Sequence, residues 1–488
     1  MLFQTTLDAL RELPLTRFET DSRKITPGNI FVCTTGLNCD GHSFVDDAIS
    51  RGAIGCIASR PLNTRLPCFI MPGKAMMTAL ISRYYEYPQR QLFNIGVTGT
   101  NGKTTVAYSL YRLLGRLGRP AYTGTLGCEF QGSREPLVNT TPDTVTLLNY
   151  MHRMVSSGIR QHIMEVSSHA LDQGRVDFMD YDIVVFTNFG KDHLDYHGRQ
   201  DDYIQAKLRL SDRLKPQGLA IVNLDDPMAM AVIDGCRFRG NLITYSIQDP
   251  AADLYATRIQ ASCKGARFSL SYRQKEYEVQ TGHPFLFNVE NTLAVAACLL
   301  GMGHAPDRVM PLLTTMPMVP GRCEVIPFSN GSTAIVDYAH NFNALTNLIK
   351  QVRRNTTGSV YTLLGVPGDR LSDAENIGHY CSVWSDHSYF TTDNPMGIRP
   401  EKILRTMSVR AAGDKISLEV CRERAIAKAL KRLAGKPNCD DVLLVCGKGP
   451  ETWQYMSSDK QKGEPYAGDK ELVMAGAGKA GLTKLKTS

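Results

Sequence analysis

At 488 residues the chain exceeds what one hydrophobic core can organise, and ordinary domain sizes predict two to four domains, of which three are expected here. Hydrophobic residues at 43% and charged residues at 21% are close to globular averages and argue against long disorder. The net charge of +7 comes from scattered Lys and Arg without a basic run or aromatic interleaving, so phosphorylated small ligands are expected as partners and nucleic acid is not.

Thirteen cysteines without a Cys-x-x-Cys spacing make no disulfide framework, and free thiols in a reducing cytoplasm are expected. Asp8, Arg11 and Glu12 interrupt the N-terminus where a signal peptide would be apolar, and no run approaches 18 apolar residues. Membrane insertion is therefore not expected, and the working expectation is a monomer.

In chain order, residues 1–88 carry short apolar runs, such as Asn29 to Cys33 and Ala53 to Ile57, punctuated by Gly, Pro and Asn; they read as a small α/β domain. From residue 89 a buried run, Leu92 to Val97, is followed by Val106, Leu110, Leu113, Leu114 and Leu117 at helical spacing. That βαβ pattern predicts a mostly parallel sheet, continued by Ile183 to Phe186 and Leu219 to Val222, with a ligand held at the strand ends. A turn-rich stretch from Met318 to Arg322 sets the next boundary near 322. Beyond it, buried runs at Ile335-Val336, Tyr361 to Leu364, Tyr389-Phe390 and Val442 to Val445 alternate with a helical pattern at Leu345, Leu348, Ile349 and Val352. A second, Rossmann-like doubly wound sheet is expected over 322–488.

Gly96-Val97-Thr98-Gly99-Thr100-Asn101-Gly102-Lys103-Thr104-Thr105 lies between a predicted strand and a predicted helix, and carries the strongest chemical signal. Backbone N–H groups of such a loop and the helix N-terminus cradle phosphates, Lys103 serves the β- and γ-phosphates, and Thr104 can ligate Mg²⁺. The general P-loop spacing requires glycine at 97, where Val97 stands. Further on, Glu165-Val-Ser-Ser-His169 and Thr187-Asn188-Phe-Gly-Lys-Asp192-His193-Leu-Asp195-Tyr-His197 each follow an apolar run. Carboxylate and imidazole groups at neighbouring strand ends suit a magnesium ion held between phosphates and a second substrate; capping and turn chemistry is the alternative. Lys207 on an amphipathic helix reads, by itself, as a solvated surface residue.

The loop variant Gly99-Thr100-Asn101-Gly102-Lys103 is typical of Mur ligases and folylpolyglutamate synthetases, and nearly the whole chain resembles the Mur ligase family, in the branch that adds the third amino acid to UDP-N-acetylmuramoyl dipeptide. The resemblance implies an N-terminal nucleotide-sugar domain (1–88), a central P-loop ATPase (89–321) and a C-terminal amino-acid-binding domain (322–488). It implies that Asp21-Ser22-Arg23 and Gly36 to His42 bring Ser22, Leu37, Asn38 and Cys39 to the UDP portion. Asn139, Thr140, Thr141, Ser167, Gln173 and Arg175 would hold the muramoyl-peptide arm.

By the same resemblance Thr104, Glu165 and His193 are implied Mg²⁺ ligands. Lys207 falls on the lysine that the family carbamylates with CO₂, making an anionic oxygen ligand beside the metal. Gly99, Thr100, Asn101, Gly102, Lys103, Thr104, Thr105, Asn288, Asn291, Arg322, Asp337, Tyr338, His340 and Arg370 would contact ATP. Alone, Asn288 and Asn291 would read as helix N-caps. Asp393, Asn394, Met396, Gly447 and Glu451 match the positions that bind the incoming amino acid.

Here the sequence departs from the pattern of diaminopimelate-adding members, Asp-Asn-Pro-Arg and Gly-Lys-Gly-His-Glu. Met396 cannot grip a distal carboxylate bidentately, and Pro450 replaces the histidine. Lysine-adding members read Asp-Asp-Pro-Asn at the first position and end in Pro-Tyr-Ala-Gly-Asp; Asp393-Asn394-Pro395-Met396 does not match the first, and Pro465-Tyr-Ala-Gly-Asp469 matches the second. The implied activity is ATP-dependent amide ligation through an acyl phosphate, with lysine or a similar amino acid expected in place of meso-diaminopimelate. Competing readings are a folate-elongating relative, which lacks the Asp-Ser-Arg domain, a Mur-like ligase acting on another carboxylate, and a scaffold without activity. The presence of Lys103, Thr104, Glu165, His193, Lys207 and Arg370 argues against the scaffold.

Overall fold

The computed structural model describes residues 2–36, 39–190, 192–236, 240–437, 439–458 and 462–485. Contacts divide the chain into two compact units, residues 1–222 with 226–243, and residues 223–225 with 244–488.

The first unit begins with four parallel strands in the order β1 (Arg17–Glu19), β2 (Asn29–Val32), β3 (Gly55–Ala58), β4 (Cys68–Ile70). Strand alternation sends Phe18, Ile30, Val32 and Ile57 to one face, where they pack with Leu7, Leu10, Leu80 and Ile81 of the helices Leu2–Glu12 and Gly73–Tyr84. Phe31, Cys33, Cys56 and Ala58 line the opposite face under Val45 and Ala48. A parallel sheet covered on both faces explains why these runs read as continuously apolar.

The second sheet of this unit runs β11 (Leu214–Asn223), β10 (Tyr181–Phe186), β5 (Phe93–Thr98), β9 (Gln161–Glu165), β6 (Pro120–Gly124), β7 (Gly127–Phe130), β8 (Ser133–Glu135). The first five are parallel, as the apolar runs predicted, and β7 and β8 add an antiparallel edge. The helix Lys103–Leu114 follows β5 and packs against β6 and β9. The register Val97↔Glu165 and Val97↔Val185 brings the ends of β5, β9 and β10 level, so the segments that follow them converge. Val97 is a fully buried strand residue, so glycine is not required there; the turn begins after Thr98.

In the second unit, Tyr245 and Ser246, at the end of β12 (Gly240–Ser246), pair in parallel with β13 (Leu254–Ser262). Antiparallel β14 (Gly265–Tyr272) and β15 (Lys275–Thr281) continue from β13, a meander that the sequence reading did not include. The apolar helix Leu286–Gly301 follows. The last sheet has the order β16 (Glu324–Pro327), β17 (Thr333–Asp337), β21 (Val442–Cys446), β18 (Val360–Leu364), β19 (His387–Phe390), β20 (Ile416–Leu418), and all pairs except β16·β17 are parallel. Helix Phe342–Asn355 buries Leu345, Leu348, Ile349 and Val352 on one face of this sheet, and helix Arg422–Ala434 buries Ala425, Ile426, Ala429 and Leu430 on the other. This is the doubly wound arrangement expected, with β17, β18, β19 and β21 ending on the loops that carry the third region's motifs.

Candidate active site

In the first unit, the segment after β5 closes a phosphate-type loop. Gly99 (φ 150°) and Gly102 (φ 84°) hold backbone angles that L side chains rarely adopt, and a Cβ at Gly99 would overlap Thr187 Oγ1. The residues after β10 brace the loop: Thr100 N–H donates to the Asn188 carbonyl (2.8 Å), Asn101 N–H to Asn188 Oδ1 (2.9 Å), and Thr187 Oγ1 to the Asn101 carbonyl (2.6 Å). Part of the Thr187-Asn188 motif is thus turn chemistry that shapes the nucleotide loop. Gly102 caps the helix Lys103–Leu114, so its N-terminal N–H groups and positive dipole end face the loop. Lys103 Nζ donates to the carbonyls of Gly99 (2.7 Å) and Thr100 (3.0 Å), curled over the loop that it would share with a phosphate. Thr105 is buried on the same turn.

Glu165, the last residue of β9, is fully buried, and its carboxylate collects four donors. Tyr122 hydroxyl (2.5 Å) and Thr125 N–H (2.9 Å) donate to Oε1, while Thr104 (2.8 Å) and Thr125 (3.1 Å) hydroxyls donate to Oε2. The P-loop threonine and the strand-end glutamate predicted far apart in sequence therefore share one oxygen-lined pocket, suited to a hard cation. Tyr122 and Thr125 escaped the sequence reading because β6 offers no motif. Thr140 Oγ1 lies 3.3 Å from Thr125 Oγ1, and Thr141 donates to the Glu165 carbonyl (2.8 Å) and accepts from Ser167 N–H (3.0 Å).

Ser167 caps the helix Ser168–Asp172, and Arg175 donates to Gln173 Oε1 (2.6 and 3.0 Å) and to the Thr141 carbonyl (2.9 Å). Thr140, Thr141, Ser167, Gln173 and Arg175 thus form one connected group, with Asn139 exposed beside it. Lys74, which the sequence reading missed, reaches the carbonyls of Gln173 (2.8 Å) and Gly174 (2.9 Å). Ser22 is buried in the turn Ser22–Lys24, capped by Asp21, and Cys39 is exposed. Leu37 and Asn38 lie outside the described residues.

Lys207 is not a surface residue: it is 1% exposed on the helix Gln200–Leu208. Its Nζ donates to Thr100 Oγ1 (2.9 Å) and to the Tyr203 hydroxyl one helical turn away, and lies 3.8 Å from the Tyr203 ring centroid. Burial pushes its ammonium well below the ordinary lysine range and Lys103 pushes the same way, against the pull of Asp192 and Asp226. The i,i+4 spacing of Tyr203 and Lys207 was the available signal for the tyrosine. Half-buried His193 (φ 53°) packs edge-on to His169, ring centroids 4.7 Å apart, and lies 3.7 Å from Asp192 Oδ2.

In the second unit, Asn288 and Asn291 are buried within the helix Leu286–Gly301, whose N-cap is Phe285, so the capping reading is wrong. Asn288 donates to the Pro284 carbonyl (2.8 Å) and accepts from Asn291 (3.0 Å). Asp337, at the end of β17, accepts from the N–H groups of Cys323 (2.7 Å) and Ala339 (2.8 Å). The Arg322 guanidinium stacks over the Tyr338 ring at 4.7 Å, and His340 Nδ1 lies 2.7 Å from the Tyr338 carbonyl. Tyr338 hydroxyl, expected at a nucleotide, donates to Glu451 Oε1 (3.1 Å), a residue expected at the amino acid.

Asn394 donates to Glu451 Oε2 (3.0 Å), and the two loops after β19 and β21 meet there. Asp393 is buried with Oδ2 lacking a hydrogen-bond partner; burial pushes its carboxyl up to about 7, Lys448 and Arg422 oppose that, and Glu451 and Asp469 add to it. A Cβ at Gly447 (φ 107°) would overlap that oxygen. Half-buried Met396 (φ 48°) precedes Gly397 (φ 88°), and its N–H bonds the Tyr455 carbonyl (3.0 Å). A Cβ at Gly368 would come 3.3 Å from Met396 Cβ, so the segment that bears Arg370 abuts this loop.

Comparison with known proteins gives the family and agrees with the fold. Residues 15–91 match the model described as Mur ligase family, catalytic domain, residues 97–299 the Mur ligase middle domain, and residues 321–449 the Mur ligase glutamate ligase domain. A protein of Geobacillus thermodenitrificans named UDP-N-acetylmuramoyl-L-alanyl-D-glutamate–2,6-diaminopimelate ligase is 37% identical over 90% of this chain and 91% of its own length. A protein of the same name from Bacillus cereus is 33% identical over 94% and 96%. A solved structure of a ligase with that name superimposes with a TM-score of 0.67 at 28% identity over 96% of each chain. The Thermotoga maritima MurF ligase in complex with ADP shares the fold, with a TM-score of 0.65 at 19% identity over 96% and 98%.

Proposed function

The chain belongs to the Mur ligase family of ATP-dependent ligases, and from that premise we propose that it joins an amino acid to the free carboxylate of UDP-N-acetylmuramoyl-L-alanyl-D-glutamate in peptidoglycan synthesis. The observation that carries the proposal is the buried Lys207, held against Thr100 of the phosphate loop, where burial shifts its ammonium well below the ordinary lysine range. A carboxylate does not react with an amine at neutral pH, so ATP converts it to an acyl phosphate. The amine then attacks the acyl carbon, and phosphate leaves from the tetrahedral intermediate.

Mg²⁺, when bound, neutralises charge on the phosphates, and the Thr104 hydroxyl, the Glu165 carboxylate and His193 are the residues that would hold it. Among the described residues no group of three or more His, Cys, Asp or Glu side chains could hold a metal. A short protein ligand list suits Mg²⁺, which keeps waters and phosphate oxygens in its shell. A neutral Lys207 amine can add its nitrogen to CO₂ and release a proton, and the resulting carbamate presents anionic oxygen in place of a cation. Lys103 and the helix N-terminus would serve the β- and γ-phosphates; Asn288, Asn291, Arg322, Asp337, Tyr338, His340 and Arg370 are the further residues proposed for ATP by the resemblance. Segments 1–88, 89–321 and 322–488 would serve the nucleotide-sugar, ATP and amino acid in turn, in the cytoplasm.

For the amino acid, the relatives' names favour diaminopimelate and Met396 disfavours it. A bidentate charge-assisted pair with a distal carboxylate contributes roughly 1.5–3 kcal/mol, or about tenfold to a hundredfold in selectivity, and a thioether cannot form one. On that ground lysine or a similar amino acid is the proposed substrate. Phosphate release from ATP and UDP-N-acetylmuramoyl dipeptide, measured across a panel of amino acids, tests both statements. Turnover with none would reject the ligase assignment, and a higher kcat/KM for diaminopimelate than for lysine would reject the reading of Met396.

A further inference from the structure

Lys448, in the loop after β21, is 0% exposed and was not among the residues expected at the amino acid. Its ammonium has three donors, and all three are used: Asn394 Oδ1 at 3.0 Å, Glu451 Oε2 at 2.9 Å and the Trp453 carbonyl at 2.8 Å. A buried lysine is rare unless paired, so this one is held by purpose-built acceptors from both amino-acid loops.

Its contacts fix the polarity of the cluster. Asn394 Oδ1 is taken by Lys448 and by Tyr455 N–H (3.1 Å), which turns the Asn394 amide nitrogen toward Glu451. Glu451 Oε2 is then shared by Lys448 and Asn394, and Oε1 receives the Tyr338 hydroxyl alone among the hydrogen bonds described. The acceptor capacity that remains is on Glu451 Oε1 and on Asp393 Oδ2, which is buried without a hydrogen-bond partner. Open acceptor oxygens on two acidic side chains suit a ligand that brings hydrogen-bond donors, and an ammonium group brings three.

We propose that Lys448 is a positioning residue of the amino-acid site, which locks Asn394 and Glu451 so that the oxygens left open on Glu451 and Asp393 receive an ammonium group of the incoming amino acid. This rests on the ligase reading above. It also assigns the distal or α-ammonium, and not a carboxylate, as the group recognised at this point. The charges that face Asp393 are Lys448 and Arg422, which favour its ionised form, and Glu451 and Asp469, which disfavour it. Removal of Lys448 withdraws one of the two cations that favour the ionised form, so the Asp393 carboxyl titrates at higher pH.

The test compares the unaltered full-length protein with Lys448→Met, Lys448→Gln and Lys448→Arg. One measurement is amino-acid-dependent phosphate release at saturating ATP and acceptor. The other is titration of the Asp393 carboxyl by NMR of protein labelled at aspartate side chains, its signal assigned with Asp393→Asn. In Met or Gln variants that melt cooperatively, KM for the amino acid should rise about tenfold or more while KM for ATP stays within about twofold. The Asp393 titration should move upward in pH, and Lys448→Arg should bring both readouts part of the way back; Gln keeps one hydrogen bond in case Met disrupts the fold. A folded variant with KM and titration unchanged, or with KM for ATP and amino acid rising together, overturns the proposal. Absence of turnover in the unaltered protein would count against the ligase reading, whereas the titration needs no substrate and still decides the role of Lys448.

Discussion

At the scale of single residues, two lysines carry opposite burdens within one unit. Lys103 is held by loop carbonyls at the phosphate loop and not in a core. Lys103→Ala should therefore abolish ATP-dependent turnover while far-UV circular dichroism and melting stay close to those of the unaltered protein. Normal phosphate release from a folded variant would remove the loop from the mechanism. Lys207 is the reverse case, since desolvation disfavours its charged form, the direction that carbamate formation with CO₂ requires. Lys207→Ala should lower kcat strongly without rescue by bicarbonate, and ¹³C-bicarbonate should produce a carbamate NMR signal in the unaltered protein that the variant lacks. At position 396, Met→Arg should move preference toward diaminopimelate in a competition assay, with Pro450, which packs closely against Gly321, restricting how far the loop adapts. An unmoved preference would show that the guanidinium cannot reach the ligand.

At the scale of elements, the parallel strands act as rails whose carboxyl ends deliver side chains to common points. The loops after β19 and β21, proposed to bind the amino acid, hang from one buried ion pair. Arg422 binds Asp469 bidentately at 2.7 Å and donates to the carbonyl of Cys446 (2.8 Å), with Thr392 at 3.4 Å, immediately before each loop. Asp469 closes the Pro465-Tyr466-Ala467-Gly468-Asp469 motif, so that motif is tied to the two loops through a clamp. Asp469→Asn leaves the guanidinium without its counter-charge, and breaking one side of such a pair costs about 3–5 kcal/mol. A fall of that order in denaturant-unfolding stability, with a raised KM for the amino acid, is expected; a loss below about 1 kcal/mol would show that the clamp is dispensable.

At the scale of the whole molecule, the site is stored at the expense of stability. The Asp393 carboxyl is raised to about 7 by burial, against 3.8 when solvated. Between those values the folded state keeps a proton that the unfolded state has lost, so stability falls as pH rises through the window and the deficit is complete above about 7. Asp393→Asn removes that deficit. Its apparent Tm should exceed that of the unaltered protein by a margin that grows from pH 5 to pH 7 and then levels, while activity is lost. A margin independent of pH would show that Asp393 ionises as freely as an exposed carboxylate.

The sequence by itself determined the strands and helices that carry the motifs, because a buried parallel strand has to be apolar along its length and its helix has to present an apolar stripe every 3.6 residues. It also determined the phosphate loop, since Gly99 and Gly102 supply backbone angles that other residues rarely take. Chemistry that depends on which strands become neighbours was decided only by the tertiary structure. Tyr122 and Thr125 lie some 40 residues from Glu165 and acquire their role when β6 pairs with β9. Lys207 reads as a surface lysine until its helix packs against the phosphate loop, and Lys448 is drawn in only when the ends of β19 and β21 meet. Hydrophobic periodicity is local and survives in one dimension, whereas desolvation and hydrogen-bond partnership are set by residues distant in the chain. The protonation state and duty of each buried polar group had to await the fold.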